Sequence, residues 1–138
     1  MPSYSWHVRG LIVEYTPGFS SSYTLNGWAL GDHPQMQGAS EKFYRTMDEA
    51  GGEVPLLSEG TGPLVMPEAS DKAPKDLYYG GQSGQGLSRL CIDRYNNRAN
   101  HVALMDGSVS SVSFPELWKL KWHREWQPPN SLPKMPKE

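Results

Sequence analysis

The residues able to do chemistry are few and scattered. Four histidines, His7, His33, His101 and His123, stand outside any His-x-His or His-Glu-x-x-His spacing, so no zinc site is written into a local stretch of chain. Each reads as a surface or a satisfied core histidine. Cys91 is the single cysteine, which rules out an intrachain disulfide and a cysteine-based metal site. Its neighbours Leu90 and Ile92 suit a buried small hydrophobe, with a reactive thiol as the alternative. Asp93 and Asp106, together with Asp32, offer hard oxygens to a cation such as calcium, although the EF-hand spacing is absent. The run Gly80-Gly81-Gln82-Ser83-Gly84-Gln85-Gly86 lacks the Lys-Ser/Thr ending of a phosphate loop, and Ser83 is not in a Gly-x-Ser-x-Gly elbow. A mobile loop is the plainer reading. No catalytic or cofactor-binding residue is expected, and the chain reads as a non-enzyme.

Charge narrows the partners. Over 138 residues, 13 Lys and Arg face 15 Asp and Glu, a net of −2, and no block of like charge occurs. That balance argues against nucleic acid or an anionic membrane bound mainly by electrostatics. The longest apolar runs, at residues 11–13 and 102–105, fall far short of the roughly 18–20 residues of a membrane span. With 5 Trp, 7 Tyr and 3 Phe the chain is too aromatic to be disordered, and its length suits one domain.

The elements that would position these residues are short, because 14 Gly and 12 Pro punctuate the chain. Residues 6–15 read as extended, stopped by Thr16-Pro17-Gly18, and residues 20–22 as a polar connector. A half-buried strand is expected over residues 23–28 and a turn over 31–34. A first helix is expected over residues 40–50, capped by Ser40 and stopped by Gly51-Gly52. Val54-Pro55-Leu56-Leu57 reads as a short strand, its proline placing it at an edge or a strand start. Residues 58–86 are loop-like, and residues 87–92 are a strand candidate.

The last third is the most legible. Residues 101–105 and 108–112 flank Asp106-Gly107, the signature of a β-hairpin with a two-residue type I′ turn. The first arm is apolar throughout, as in a central strand buried on both sides. Ser113-Phe114-Pro115-Glu116 forms a capping box with proline in the first turn, which predicts a helix over residues 114–126. On it Trp118, Trp122 and Trp126 fall at i, i+4 and i+8, as core or as the edge of an interface. Residues 1–127 then make one globular domain, and the Pro-rich residues 128–138 a flexible tail.

Several of these segments, in this order, carry a resemblance. Cys91-Ile92-Asp93-Arg94-Tyr95-Asn96, the stretch from Asn100 through Asp106-Gly107 to Val109, and Leu117-Trp118-Lys119-Leu120-Lys121-Trp122-His123 resemble the end of a prepilin-like family. It is abundant in planctomycete-type bacteria and named for a His-x(9)-Asp-Gly motif. Ser22-Tyr23-Thr24-Leu25-Asn26-Gly27-Trp28 is similar to the family's Ser-Tyr-x-x-Asn-x-Trp segment, and residues 41–45 and 54–57 fall where its short helix and Val-Pro strand stand. Two departures matter: Tyr95 replaces the motif histidine, and ten residues separate it from Asp106, so metal ligation by that imidazole does not carry over. The family's leader signal and long hydrophobic helix are not in this sequence either.

The resemblance implies a pseudopilin-like α+β head: an antiparallel sheet with a C-terminal hairpin, two short helices and long irregular loops. It implies a non-catalytic structural subunit of a type II secretion or type IV pilus-like filament, packing on copies of itself or other pilin-like subunits. The chain would be the soluble head of a longer precursor, or a free-standing relative. Location would be extracytoplasmic, at the cell envelope or in a surface filament, given an upstream anchor helix, and the head itself would contact neither nucleic acid nor membrane. The motif residues carried over are Asp93, Arg94, Tyr95, Asn100, Asp106, Gly107, Trp118, Trp122 and His123. The alternative is an extracytoplasmic binding module for a glycan or a cation such as calcium.

Overall fold

The computed structural model describes residues 4–8, 11–15, 23–31 and 40–137. Asp32 and His33, the breaks expected at residues 16–18 and 32–34, and the connector at 20–22 lie outside them. The extended run near the N-terminus is two strands, β1 (Tyr4–Val8) and β2 (Leu11–Tyr15), paired antiparallel as a ribbon. A second, five-stranded sheet contains β3 (Tyr23–Asn26), β4 (Pro55–Glu59), β5 (Leu64–Val65), β6 (Ala99–Leu104) and β7 (Val109–Ser113), in the order β5-β3-β4-β6-β7. With a few short helices this is an α+β fold. The sheet is mixed rather than antiparallel throughout, because β5 follows β4 closely, passes to the far side of β3 and pairs with it in parallel. Leu25 N–H donates to Pro63 C=O at 3.0 Å as the chain makes that pass.

Pro55 does open its strand, where its missing N–H is harmless, but β4 is the middle strand and not an edge. The helix expected over residues 40–50 is broken. Ser40–Lys42 forms one 3-10 turn, and α1 (Met47–Ala50) is a separate turn. Between them both Phe43 and Tyr44 are buried. Tyr44 donates its hydroxyl to Lys121 C=O at 3.1 Å and its N–H to Trp28 C=O at 3.0 Å, and a continuous helix would commit that N–H to Ser40 C=O instead. Thr46 caps α1 by accepting from Glu49 N–H, and Gly51 ends it at φ +72°.

The strand expected over residues 87–92 is instead a 3-10 helix, Gly86–Leu90. Its start is fixed by Asp71, whose carboxylate accepts from Leu87 N–H at 2.9 Å. A Cβ on Gly86 would stand 2.0 Å from that same carboxylate oxygen, and Gly86 has φ +55°. Helix α2 (Tyr79–Ser83) lies in the long segment before it.

The C-terminal hairpin stands where expected, with a different turn. Ala103 pairs with Val109, Leu104 N–H donates to Ser108 C=O, and Gly107 N–H donates to Leu104 C=O. The loop is therefore three residues, Met105-Asp106-Gly107, and only Gly107, at φ +86°, has positive φ. That is a type I turn closed by a left-handed glycine, which relieves Asp106 of the strain a type I′ turn would impose. Strand β6 is internal to the sheet but buried on one face only: Asn100 and Val102 are buried while His101 is exposed.

The expected helix over residues 114–126 shortens to a 3-10 segment, Phe114–Lys119. Ser113 makes no side-chain cap bond, and Leu120 turns extended at ψ 146°. Trp118, Trp122 and Trp126 thus enter the core from different directions, not as one helical stripe. They pack there with Trp28, Phe43, Leu87 and Leu90. The segment 128–137 has no regular element, yet Leu132 and Met135 lie against the core and Arg98 donates to Pro136 C=O at 2.9 Å.

Gly107 tests the turn. A Cβ there would meet nothing within 4 Å, so Gly107→Val costs backbone strain alone, about 1–3 kcal/mol. Thermal unfolding should show a lowered Tm; an unchanged Tm would contradict the left-handed conformation.

Candidate functional site

Much of the chain that packs against the inner face of the sheet is loop or 3-10 backbone, whose carbonyls no regular ladder satisfies. Side-chain N–H groups reach them instead. Four indoles do this: Trp28 donates to Pro67 C=O at 2.7 Å, Trp118 to Asp71 C=O at 2.9 Å, Trp122 to Leu117 C=O at 2.8 Å and Trp126 to Trp118 C=O at 2.9 Å. Each ring also removes about 150–250 Å² from water, roughly 4–6 kcal/mol of gross hydrophobic stabilisation.

Two buried asparagines complete the set. Asn26 accepts from Trp28 N–H and donates to Pro55 C=O and Trp122 C=O at 2.8 and 2.9 Å. Asn100 accepts from Glu59 N–H and donates to Glu59 C=O and Leu90 C=O. Its amide thereby replaces one rung of the β4–β6 ladder while holding the end of the Gly86–Leu90 turn. The His101 N–H beside it is taken by the Glu59 carboxylate at 3.0 Å, which also meets His101 Nδ1 at 3.0 Å.

The residues singled out from the sequence are not gathered into one pocket. Asp93 and Asp106 lie beyond opposite ends of β6, whose length separates them by about 17 Å. Each is engaged locally. Asp93 Oδ1 accepts from Asn97 and Arg98 N–H. Asp106 Oδ1 accepts from the Ser108 hydroxyl and N–H, and these bonds hold its carboxyl below the usual carboxylate range. Arg94 donates to Gly60 C=O at 3.1 Å. Tyr95 is exposed, its ring 6.0 Å from that of His101. Asn100, Trp118, Trp122 and His123 are buried, and Gly107 is at the hairpin tip. Cys91 is buried, with its Sγ 3.4 Å from Leu87 C=O, and burial pushes its pKa up, away from a reactive thiolate.

His123 sits in this framework together with ionisable groups that the sequence did not advertise. His123 packs edge-on against Trp28 and Trp126. Its Nδ1 accepts from Glu125 N–H, and its Nε2 is 3.3 Å from Glu68. Glu68 in turn pairs with Lys42 at 2.8 Å, and Lys42 lies 5.7 Å from the Trp28 ring centroid. Burial lowers the His123 pKa; Glu68 pulls the other way and is outweighed. Burial raises the Asp71 pKa against the bonds it accepts from Glu68 and Leu87 N–H. It also raises Tyr44 to about 12, helped by Glu53 and Glu49. No local spacing signals these long-range partnerships.

No family model matches the chain, and neither a curated protein nor a solved structure is significantly similar to it.

Two measurements test this framework. Trp118→Ala should cost roughly 3–5 kcal/mol, and Trp122→Phe, which removes the indole N–H and the pyrrole half of the ring and leaves Leu117 C=O with the Leu120 N–H alone, at least about 0.5–1.5 kcal/mol; equal Tm values for Trp122→Phe and the parent would remove the indole bond from the account. The second is pH. Because His123 is held below its ordinary value, the unfolded chain takes the proton first. Stability is full above about pH 6.5 and is lost as pH falls below that toward the folded value. Calorimetry at pH 7.5, 6.0 and 5.0 should show Tm falling, with a shallower fall in His123→Gln; identical slopes would contradict the assignment.

Proposed function

We propose that this chain is the pseudopilin-like head of a pilin-like subunit, non-catalytic, packing beside copies of itself or related subunits in a type II secretion or type IV pilus-like filament. The observation that carries this reading is where the resembling residues put their chemistry. Asn26, Trp28, Asn100, Trp118 and Trp122 are buried and bonded to this chain's own backbone. A part built that way offers its surroundings a rigid shape rather than reactive groups. Strand β7 adds a surface suited to packing. It is a sheet edge of sequence Val-Ser-Ser-Val-Ser, exposed at four of its five residues, and it lacks the lysine or proline that commonly protects an edge from pairing.

In this role the head stands outside the cytoplasm and anchoring belongs to another segment. Among the described residues no helix is long and apolar enough to cross a membrane. A second reading, a glycan-binding module, is favoured by Tyr78 and Tyr79. These are 61% and 70% exposed, with ring centroids 4.7 Å apart, and Asp76 braces their loop through the N–H groups of Tyr78 and Gly80.

Sedimentation over a concentration series should show reversible self-association. Ser111→Lys, a charge placed at the middle of the exposed edge, should weaken it at least about tenfold. A chain that stays monomeric at every concentration but gives heat on titration with soluble polysaccharide or calcium would replace the filament reading with the binding module.

A further inference from the structure

Hydrogen-bond alternation along the β6–β7 ladder decides which backbone groups of β7 are left open. In an antiparallel pair, residues that exchange both bonds with the partner strand alternate with residues whose N–H and C=O point away from it. The phase is fixed at both ends. Leu104 N–H donates to Ser108 C=O at 2.9 Å, and Phe114 N–H donates to Arg98 C=O at 3.0 Å. Between them the register runs unbroken from Ala103–Val109 to Ala99–Ser113. Ser110 and Val112 therefore bond to β6, while Val109, Ser111 and Ser113 turn their N–H and C=O groups to the open edge. All three are exposed.

Such a row accepts an extended backbone of matching phase, and β7 of a second copy has that phase. No charged residue falls between Ser108 and Pro115, so the edge can face itself without like charges meeting. The sheet's other edge is a poor competitor. There β5 is two residues long and stands between Pro63 and Pro67, and proline guards an edge. Direction and register follow from the open groups. In-register parallel pairing would need the groups of Ser110 and Val112, already committed to β6. An antiparallel pair centred on Ser111 uses every open group: Ser111 faces its own copy, and Val109 of each copy faces Ser113 of the other. Sliding the register one way sets Ser113 against Gly107, whose N–H is given to Leu104. Sliding it the other way sets Val109 against Pro115, which has no N–H.

We propose that two copies of this chain join β7 to β7, antiparallel about a twofold axis through Ser111, so that their five-stranded sheets become one continuous sheet. This pairing rests on the self-packing reading given above and names the segment through which it acts. The contact uses the same patch on both copies and closes after two. It couples heads in pairs, and growth of a filament belongs to another surface. A contact confined to a five-residue edge stays below the about 1,200 Å² of a stable interface, so the pair is weak and forms reversibly as concentration rises.

Spin labels on single introduced cysteines test this in the full-length chain, whose own Cys91 is buried and stays unlabelled. Val109→Cys, Ser111→Cys and Ser113→Cys are labelled in turn, and dipolar broadening is read as protein concentration rises. Labels at Ser111, on Cα atoms about 5.5 Å apart, should broaden strongly. Labels at Val109 alone or Ser113 alone lie about 14 Å from their own copies and should broaden several-fold less. Mixing the labelled Val109→Cys and Ser113→Cys chains brings unlike labels together and should restore the broadening. Equal broadening at all three positions, or self-association with no broadening at any, would overturn the β7 pair and leave the self-packing reading standing. A chain that stays monomeric at every concentration would overturn both.

Discussion

A core walled largely by irregular chain has to supply hydrogen-bond donors to its own backbone carbonyls, and that constraint governs this molecule. In a helix or sheet the backbone satisfies itself, so the core needs only apolar volume. Here Pro67, Asp71, Leu117, Trp118, Pro55, Leu90 and the carbonyl of Trp122 all take donors from side chains. Tryptophan and asparagine suit the work for different reasons. The indole buries a large area and carries one donor at its rim, while the carboxamide gives two donors and an acceptor in a small volume. An unmet carbonyl in such a core costs about 1–3 kcal/mol, so the loss of one donor frees a segment as well as a bond.

This also explains which parts of the fold were legible in the sequence. Features fixed by a single residue's backbone preference were readable: the hairpin reversal at Gly107, the stop at Gly51, the start of β4 at Pro55. Lengths were not. Ser113 to Glu116 correctly marked a helical start, but the element ends at Lys119 because Leu120 turns extended and Trp122 then bonds back to Leu117. Spacing of i, i+4 and i+8 for Trp118, Trp122 and Trp126 fits a helix face equally well, and nothing local separates that from three rings delivered by a bent chain. Residues 87–92 misled for a similar reason. Leu87, Leu90 and Cys91 are all buried by a tight turn, and an apolar run of that length reads as a strand.

The candidate site was legible only in part. Asn100, Trp118, Trp122 and His123 were singled out by resemblance, and they do lie in one framework, but their partners are 5 to 96 positions away for the side-chain bonds involving Trp122 alone. Asp93 and Asp106 look like cation ligands on paper, and their oxygens serve the turns that carry them. The Glu59–His101 and Glu68–His123 pairs fall on the sheet's outer face and against the tryptophans respectively, so the chain's two described histidine–carboxylate pairs do not act on a common point. The asparagine and indole donors of the framework are turned inward.

The central claim is that the indole donors hold irregular backbone in place. Exchange of the indole Nε1–H protons of Trp28, Trp118, Trp122 and Trp126, followed by NMR, tests it most directly. If the account holds, all four exchange slowly and open together, at the rate of global unfolding. Four indoles exchanging within seconds at neutral pH, in an otherwise folded chain, would contradict it.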